Sequence, residues 1–119
     1  MRFLILAMED DSAFAAREDA TASGPYWDSW TGYLAALNDS GILDGAGGLQ
    51  PPWVATTVRV RDGRRLVQDG PFAETKEQLG GYFVIDVPDL DTALTWAEHC
   101  PSAAYASVEV RPLLPLMDR

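Results

Sequence analysis

The chain has 119 residues, a formal net charge of −9 and one cysteine. This length predicts a single domain over residues 1–119. The acidity argues against nucleic acid and anionic membranes as partners, because both are bound by clustered Lys and Arg. One cysteine excludes an intrachain disulfide, and no apolar run is long enough to cross a membrane. With no signal peptide before the acidic residues 9–11, the sequence predicts a cytoplasmic protein.

The first third of the chain predicts a strand followed by helical segments. Residues 3–8 are a compact apolar run, typical of a buried strand. The alanine-rich sequence after it favours a short helix capped by Asp11 or Ser12. Apolar residues at three- and four-residue spacing then predict a longer helix, with Ser23 as its cap and Gly41 near its end.

The middle of the chain predicts a hairpin. Residues 42–50 are rich in glycine and fit an irregular strand. Residues 56–61 alternate between β-branched and polar side chains, and residues 64–68 are predicted as the returning strand. Asp62 and Gly63 separate the two, as expected for a type I′ turn with positive φ at both central positions.

The last third predicts a strand, a helix and a strand. Residues 80–87 are strongly apolar, Asp89 caps an amphipathic helix, and residues 107–111 alternate again. Without the inserted hairpin the order is βαββαβ, which is the α+β, ferredoxin-like pattern with helices on one sheet face.

The other sheet face is expected to be bare, and a bare apolar face of this size usually marks an interface. Two such sheets packed together would form a homodimer, a closed dimeric α+β barrel with a cavity between the subunits. The sequence leaves open whether the apolar strand residues face the cavity or the helices. These residues are Phe3, Ile5, Phe83 and Ile85.

A polar loop over residues 69–82 carries the first set of candidate functional residues. The candidate catalytic residues are Asp69, Glu74, Lys76 and Tyr82. A carboxylate beside a cavity is a candidate general base, and Tyr82 or Lys76 would stabilise developing negative charge. Glu74 and Glu77 would share a face on a helical turn. The alternative interpretation is an exposed surface turn, which ordinarily contains these residue types.

His99, the only histidine, is predicted at the end of the last helix, where it can simply interact with the helix C-terminus. A structural role is therefore favoured over chemistry. A single histidine among scattered carboxylates lacks a recognisable ligand spacing, so no metal is predicted. The glycine-rich segment is not followed by Lys-Ser or Lys-Thr, so it is no phosphate loop, and no cofactor is predicted.

The run from Asp69 to Tyr82 strongly resembles the signature of the DGPF proteins, a branch of the YCII-related family. Residues 1–8, 50–63, 87–97 and 107–112 also resemble segments of that family. The resemblance implies a dimeric α+β barrel and no settled activity. Many relatives are associated with extracytoplasmic-function sigma factors, which implies a sigma factor as a possible partner.

The resemblance also implies an active-site His and Asp that are suspected in the broader family. This chain departs from that pattern at two places. Its first long helix contains Trp27, Trp30 and Tyr33 but no histidine, and Cys100-Pro101 stands where many relatives have Asp-Pro. The His/Asp chemistry is therefore not carried over.

Three functions remain open from the sequence. The first is binding of a small hydrophobic or aromatic ligand, with the ligand-binding residues Trp27, Trp30, Phe72 and Glu77. The second is a cofactor-free enzyme of isomerase, cyclase or decarboxylase type, with Asp69 or Glu74 as general base. The third is an accessory protein for a sigma factor, since an acidic surface suits a basic partner.

Overall fold

The structure is a computed structural model that describes residues 1–71, 73 and 75–115. The elements, in chain order, are β1 (Arg2–Asp10), α1 (Asp11–Ala16), α2 (Ser23–Asp39), β2 (Leu43–Gly48), β3 (Thr56–Arg61), β4 (Arg64–Asp69), β5 (Glu77–Asp86), α3 (Leu90–Glu98) and β6 (Ser107–Pro112). Short 3-10 turns lie at Pro52–Val54 and Pro101–Ala104. The predicted ferredoxin-like βαββαβ order with an inserted hairpin is confirmed.

The main sheet has four strands in the order β2-β5-β1-β6. Every neighbouring pair is antiparallel, and β1 and β5 are the central strands. The inserted strands β3 and β4 pair only with each other in a separate two-stranded sheet. The hairpin is thus an addition to the domain rather than a part of its main sheet.

The core lies between the main sheet and the helices. Alternate residues of a strand point to opposite sheet faces, and in β1 the buried set begins with Phe3 and Ile5. These residues pack with Phe83 and Ile85 of β5 and with side chains of α2 and α3. The four apolar residues left open by the sequence therefore face the helices.

Three local predictions are confirmed by the backbone. Asp62 and Gly63 have φ angles of +52° and +72°, as the type I′ turn requires. Gly41 follows α2 with a φ of +73°, the left-handed conformation that ends many helices. Asp89 caps α3, its side chain accepting a hydrogen bond from the Thr92 N–H at 2.8 Å.

The predicted caps of the first two helices are wrong. Because β1 continues to residue 10, the cap of α1 is Asp10, which accepts a hydrogen bond from the Ala13 N–H at 2.8 Å. Ser23 is the first residue of α2. The cap of this helix is Ala22, which makes no side-chain hydrogen bond. The Asp19 carboxylate accepts hydrogen bonds from the N–H groups just before α2, including that of Ala22 at 2.8 Å. The chain is therefore fixed there without a serine cap.

The predicted start of the β5 strand is also corrected. The strand begins at Glu77 instead of Gly80, because the extended β1 supplies pairing partners: Glu9 for Gln78 and Asp10 for Glu77. Glu77 thus lies in a strand, and not on a helical turn. Glu74, its predicted neighbour on that turn, lies outside the described residues.

Candidate functional site

A buried carboxylate lies at the end of β1. Glu9 continues the inward-facing positions of that strand, after Ala7, and its residue exposure is only 1%. An ionised carboxylate is costly to bury unless it is paired and hydrogen-bonded. The partners of Glu9 therefore define what this part of the molecule can do.

Three side chains from distant parts of the chain satisfy Glu9. The hydroxyls of Tyr26 and Tyr105 both donate to Oε1, at 2.5 and 2.8 Å. Arg17 donates from Nη2 to Oε2 at 2.9 Å and forms an ion pair with it. We call these four residues the Glu9 cluster. Its carboxylate and guanidinium charges offset each other, so the cluster is neutral overall while its phenols stay protonated.

Arg17 joins the cluster to three other parts of the fold. Its Nε donates to the Tyr26 hydroxyl at 3.0 Å, and its Nη1 donates to the Leu49 carbonyl, just after β2, at 2.5 Å. Its Nη2 also donates to the Gly80 carbonyl of β5 at 3.2 Å. The guanidinium lies 4.9 Å from the ring centre of Phe14, close enough for a cation–π interaction. Arg17 therefore ties helix α1 to the sheet.

A glycine makes room for the carboxylate. The β1–β5 register shifts between Ala7 and Met8, leaving Gly80 as an extra residue in β5, as in a β-bulge. A Cβ at Gly80 would lie 2.8 Å from the Glu9 Oε2. A larger residue would therefore displace the carboxylate from its present position.

Burial keeps the two phenols of the cluster protonated. Desolvation, with the hydrogen bond to Glu9 as a smaller cause, raises the pKa of Tyr26 to about 12. The same causes raise the pKa of Tyr105. Ionisation of either phenol would place a second negative charge beside the carboxylate. Both tyrosines therefore act as hydrogen-bond donors at neutral pH.

The Glu9 cluster lies against a cavity of about 590 Å³. Three of its members, Glu9, Arg17 and Tyr26, line the cavity. Apolar walls surround them, formed by the aromatic residues Phe14, Trp27, Trp30 and Phe83 together with Leu34, Leu49 and Pro51. A largely apolar cavity with a few convergent polar groups is the usual form of a small-molecule site.

The aromatic walls are themselves packed against one another. Trp30 stacks on Phe83 with an interplanar angle of 12° and a centroid separation of 6.2 Å. Tyr26 meets Trp27 edge to face at 4.8 Å. The Trp30 indole N–H is buried without a hydrogen-bond partner. The walls thus present flat apolar surfaces to the cavity.

The structure brings together only part of the predicted site. Trp27 and Trp30 line this cavity, which lies on the helix side of one subunit, whereas the prediction placed them around a cavity between two subunits. Phe72 and Glu74 lie outside the described residues. Asp69 is exposed at the end of β4, and neither it nor Lys76 lines the cavity. A catalytic role for these residues stays a prediction.

Tyr82 and Glu77 lie away from the cavity. Tyr82 is on the opposite face of the sheet from Phe83, and its ring lies 2.6 Å from where a Cβ at Gly47 would be. Glu77 is at the start of β5, where its Oε1 accepts a hydrogen bond from the Ser107 hydroxyl at 2.5 Å. Both positions are explained by packing and strand pairing.

Sequence reasoning missed the whole Glu9 cluster. The acidic run at residues 9–11 reads as the end of a strand, and its partners follow 8, 17 and 96 positions after Glu9 with no common spacing. One signal was available, because Glu9 keeps the alternation of Phe3 and Ile5 and so falls on their sheet face. The burial of that carboxylate depends on contacts that no local pattern encodes.

Tyr33, Cys100 and His99, three residues considered against the family's suspected His/Asp pattern, make their polar contacts around α3. Tyr33 of α2 is buried and donates its hydroxyl to the Trp96 carbonyl at 2.9 Å. Cys100 is buried, its Sγ lies 3.7 Å from the Ser102 Oγ, and burial raises the pKa of its thiol. The Nδ1 of His99, the C-cap of α3, lies 2.7 Å from the Thr95 carbonyl oxygen. All three belong to the packing around α3.

The described residues contain neither a candidate metal site nor a membrane-spanning helix. Residues 1–71, 73 and 75–115 contain no group of three or more His, Cys, Asp or Glu side chains placed to hold a metal ion. Within the same ranges, no helix combines the length and apolar character that crossing a membrane requires.

Comparison with known proteins decides the family. The YCII-related domain matches residues 1–117. The chain belongs to the YCII-related family. It is 46% identical over 77 residues to an uncharacterised protein of Rhizobium meliloti (strain 1021), a match that covers 63% of this chain and 62% of that protein. The chain thus aligns with less than two thirds of this relative's length.

A solved structure shares the fold. It is 5-chloro-2-hydroxyhydroquinone dehydrochlorinase (TftG) from Burkholderia phenoliruptrix AC1100, in complex with 2,5-dihydroxybenzoquinone. The TM-score is 0.52, the sequence identity is 16%, and the match covers 96% of this chain and 94% of TftG. At this identity the similarity establishes a common fold and leaves the activity of this YCII-related chain open.

Proposed function

We propose that this YCII-related protein binds a small, flat, hydroxylated or carbonyl-bearing aromatic molecule in the cavity beside the Glu9 cluster. The observation that carries the proposal is the combination of a buried Glu9–Arg17 pair with aromatic walls in one cavity of about 590 Å³. Ligand sites commonly combine apolar walls with a few fixed polar groups. The similarity to TftG, whose complex contains a flat quinone, supports the same ligand class.

The charge of the cluster favours a neutral ligand. Glu9 and Arg17 offset each other, and both phenols remain uncharged at neutral pH, so the Glu9 cluster carries no net charge. The other carboxylate of the lining, Glu18, is exposed. The rings of Trp27 and Trp30 provide flat surfaces against which a planar molecule can stack.

Fluorescence titration with hydroquinone and a panel of hydroxylated aromatic compounds that are neutral at pH 7 tests the proposal, with 2,5-dihydroxybenzoquinone, a dianion at that pH, as the charged comparison. We expect saturable quenching of tryptophan fluorescence, weakened at least tenfold by Trp30→Leu because one stacking wall is removed. Trp96→Phe is the matched control, since Trp96 packs on the core from α3 and does not line the cavity. Equal loss of affinity in both variants, or no saturable quenching in the panel, would reject the cavity as the site.

A cofactor-free enzyme of isomerase, cyclase or decarboxylase type is the second candidate. The specific observation in its favour is that a buried carboxylate lines the cavity and shares Oε1 with two phenols. In this form of the proposal Glu9, rather than Asp69 or Glu74, accepts a proton from the substrate, and Tyr26, the phenol that lines the cavity, donates to the developing negative charge. Glu9→Gln should abolish turnover while ligand binding is only partly lost.

A homodimer through the main sheet remains part of the proposal. The sheet face opposite the helices presents Leu4, Leu6 and Met8 of β1 and Tyr82 and Val84 of β5, all partly exposed. A second copy covering these side chains would bury apolar surface that otherwise contacts water. Sedimentation velocity of wild type and Leu6→Lys measures the oligomeric state. The substitution should shift a dimer towards monomer, because it places a charge on the sheet face that the second copy would cover.

Association with an extracytoplasmic-function sigma factor is proposed only from the family resemblance and from the net charge of −9, which suits a basic partner. Affinity capture at two salt concentrations from the native host measures it. Absence of a sigma factor at both concentrations would remove this candidate and leave the cavity proposals unaffected.

A further inference from the structure

The hairpin of strands β3 and β4, residues 56–69, stands apart from the domain core; we call it the arm. Its strands pair only with each other, and all six side chains of β4 are exposed. The radius of gyration is 16.0 Å, whereas a compact chain of this length has about 13.5 Å. The arm therefore projects from the body, and an isolated two-stranded hairpin is only marginally stable in water.

The two faces of the arm differ in chemistry. Val58 and Val67 are paired across the strands on one face, each with 56% of its surface exposed, and Val60 extends this apolar face. The other face carries Arg61 directly opposite Arg64. Like charges directly opposite each other destabilise a strand pair. Arg65 lies directly opposite Val60, so the valine face also carries an arginine, and Leu66 lies on the other face opposite Arg59. A partner with apolar and acidic groups would stabilise the valine face.

The charge of the remaining chain is opposite to that of the arm. The arm has four arginines and two aspartates, a net charge of +2, so the other residues carry −11. Helices α1, α2 and α3 contain no Lys or Arg. Their carboxylates are Asp11, Asp28, Asp39, Asp91 and Glu98. The helical layer is therefore an acidic surface suited to the arginines of the arm.

That helical layer also exposes apolar side chains at the cavity. Trp27 and Leu34 of α2 line the cavity yet keep 47% and 40% of their surfaces exposed. Asp28 follows Trp27 on the same helix and is exposed, and the exposed Glu18 lines the cavity as well. Apolar and acidic groups thus occur together at the cavity, as apolar and basic groups do on the arm.

We propose that the arm of one subunit packs across α2 of a second copy of this chain and covers the mouth of its cavity. The valines would contact Trp27 and Leu34, and Arg65, which lies on the same face of the arm, would lie near Asp28 and Glu18 of the second copy. In a two-fold dimer the contact occurs twice, since each subunit offers both surfaces. The contact between the arm and α2 does not use the bare sheet face, so it can form with or without the homodimer through the main sheet. It also does not require a ligand in the cavity.

Cross-linking between engineered cysteines tests the position of the arm. In a Cys100→Ser background, one co-expressed chain carries Val60→Cys and the other Leu34→Cys, with different affinity tags. Mild oxidation should link the two chains, and a pair of Val60→Cys with Leu6→Cys, on the bare sheet face, should cross-link at least tenfold less. Preferential linkage to position 6, or equal linkage to both, would overturn the proposal.

Charge reversal gives a second, independent measurement. In a Leu6→Lys background, which weakens the sheet-face dimer, Arg65→Glu should weaken self-association at least tenfold in sedimentation equilibrium, because the valine face would then meet the acidic helices with a negative charge. Arg64→Glu, on the opposite face of the arm, is the matched control and should change association less than threefold. A wild-type chain that stays monomeric, or a reversal without effect, would contradict the proposed contact and assign the arm to another occupant.

Discussion

Replacing Glu9 by Gln is the sharpest perturbation of the site, since it removes one charge and keeps the shape of the side chain. Arg17 would then remain largely buried, with a side-chain exposure of 11%, and without its counter-ion. Removing one partner of a buried ion pair costs about 3–5 kcal/mol. The carbonyls of Leu49 and Gly80 still accept from the guanidinium, so we expect a loss of roughly 2–4 kcal/mol.

The assay is urea unfolding at neutral pH, monitored by tryptophan fluorescence. Glu109→Gln is the matched control, because Glu109 is an exposed carboxylate paired with Arg111 at the surface, where such pairs contribute at most about 1 kcal/mol. The double variant Glu9→Gln with Arg17→Met should recover part of the lost stability, since the uncompensated cation is also removed. If the free energy of unfolding of Glu9→Gln lies within about 0.5 kcal/mol of the wild-type value, the Glu9–Arg17 pair does not have the buried environment that the structure shows.

Two further predictions concern the same cluster. Gly80→Ala should lower the free energy of unfolding by about 1–3 kcal/mol in urea titrations, because its Cβ would lie 2.8 Å from the Glu9 Oε2. Gly32→Ala in α2 is the control. Because nothing lies within 4 Å of its added Cβ, it should raise the free energy of unfolding by about 1 kcal/mol. The pKa of Tyr26 is raised from 10.0 to about 12. The folded state therefore holds the phenolic proton more tightly than the unfolded state, and this contribution to stability is present below pH 10 and is lost as the pH rises towards 12. As the pH rises from 10 to 12, the urea midpoint should fall less steeply in Tyr26→Phe than in wild type. Equal slopes in the two proteins would contradict a raised pKa at Tyr26.

The fold was predictable because its signals are local. The Asp62-Gly63 turn, the Asp89 cap and the left-handed Gly41 each follow from one or two residues with a defined backbone preference. The apolar alternation of β1 and β5 defined the central strands. The start of β5 was less predictable, since pairing at Glu77 depends on the length of β1.

The site was less predictable because it is assembled from distant segments. Tyr105 reaches Glu9 across 96 positions in sequence, and Arg17 becomes a buried partner only when β2 and β5 place their carbonyls beside it. Trp27 and Trp30 were predicted as ligand-binding residues because aromatic side chains were concentrated on one helix. The polar partners of those aromatics gave no comparable signal, apart from the inward position of Glu9.

The central claim is that the cavity beside the Glu9 cluster holds a small molecule, and a variant that fills the cavity tests it most directly. Gly48 lines the cavity, and a Cβ there meets nothing within 4 Å, so Gly48→Leu occupies the ligand space without a backbone clash. Native mass spectrometry of gently purified protein from the native host would compare wild type, Gly48→Leu and Gly32→Ala. We predict a bound aromatic compound in wild type and Gly32→Ala and its loss from Gly48→Leu. A compound retained equally by all three, or by none, would contradict the account.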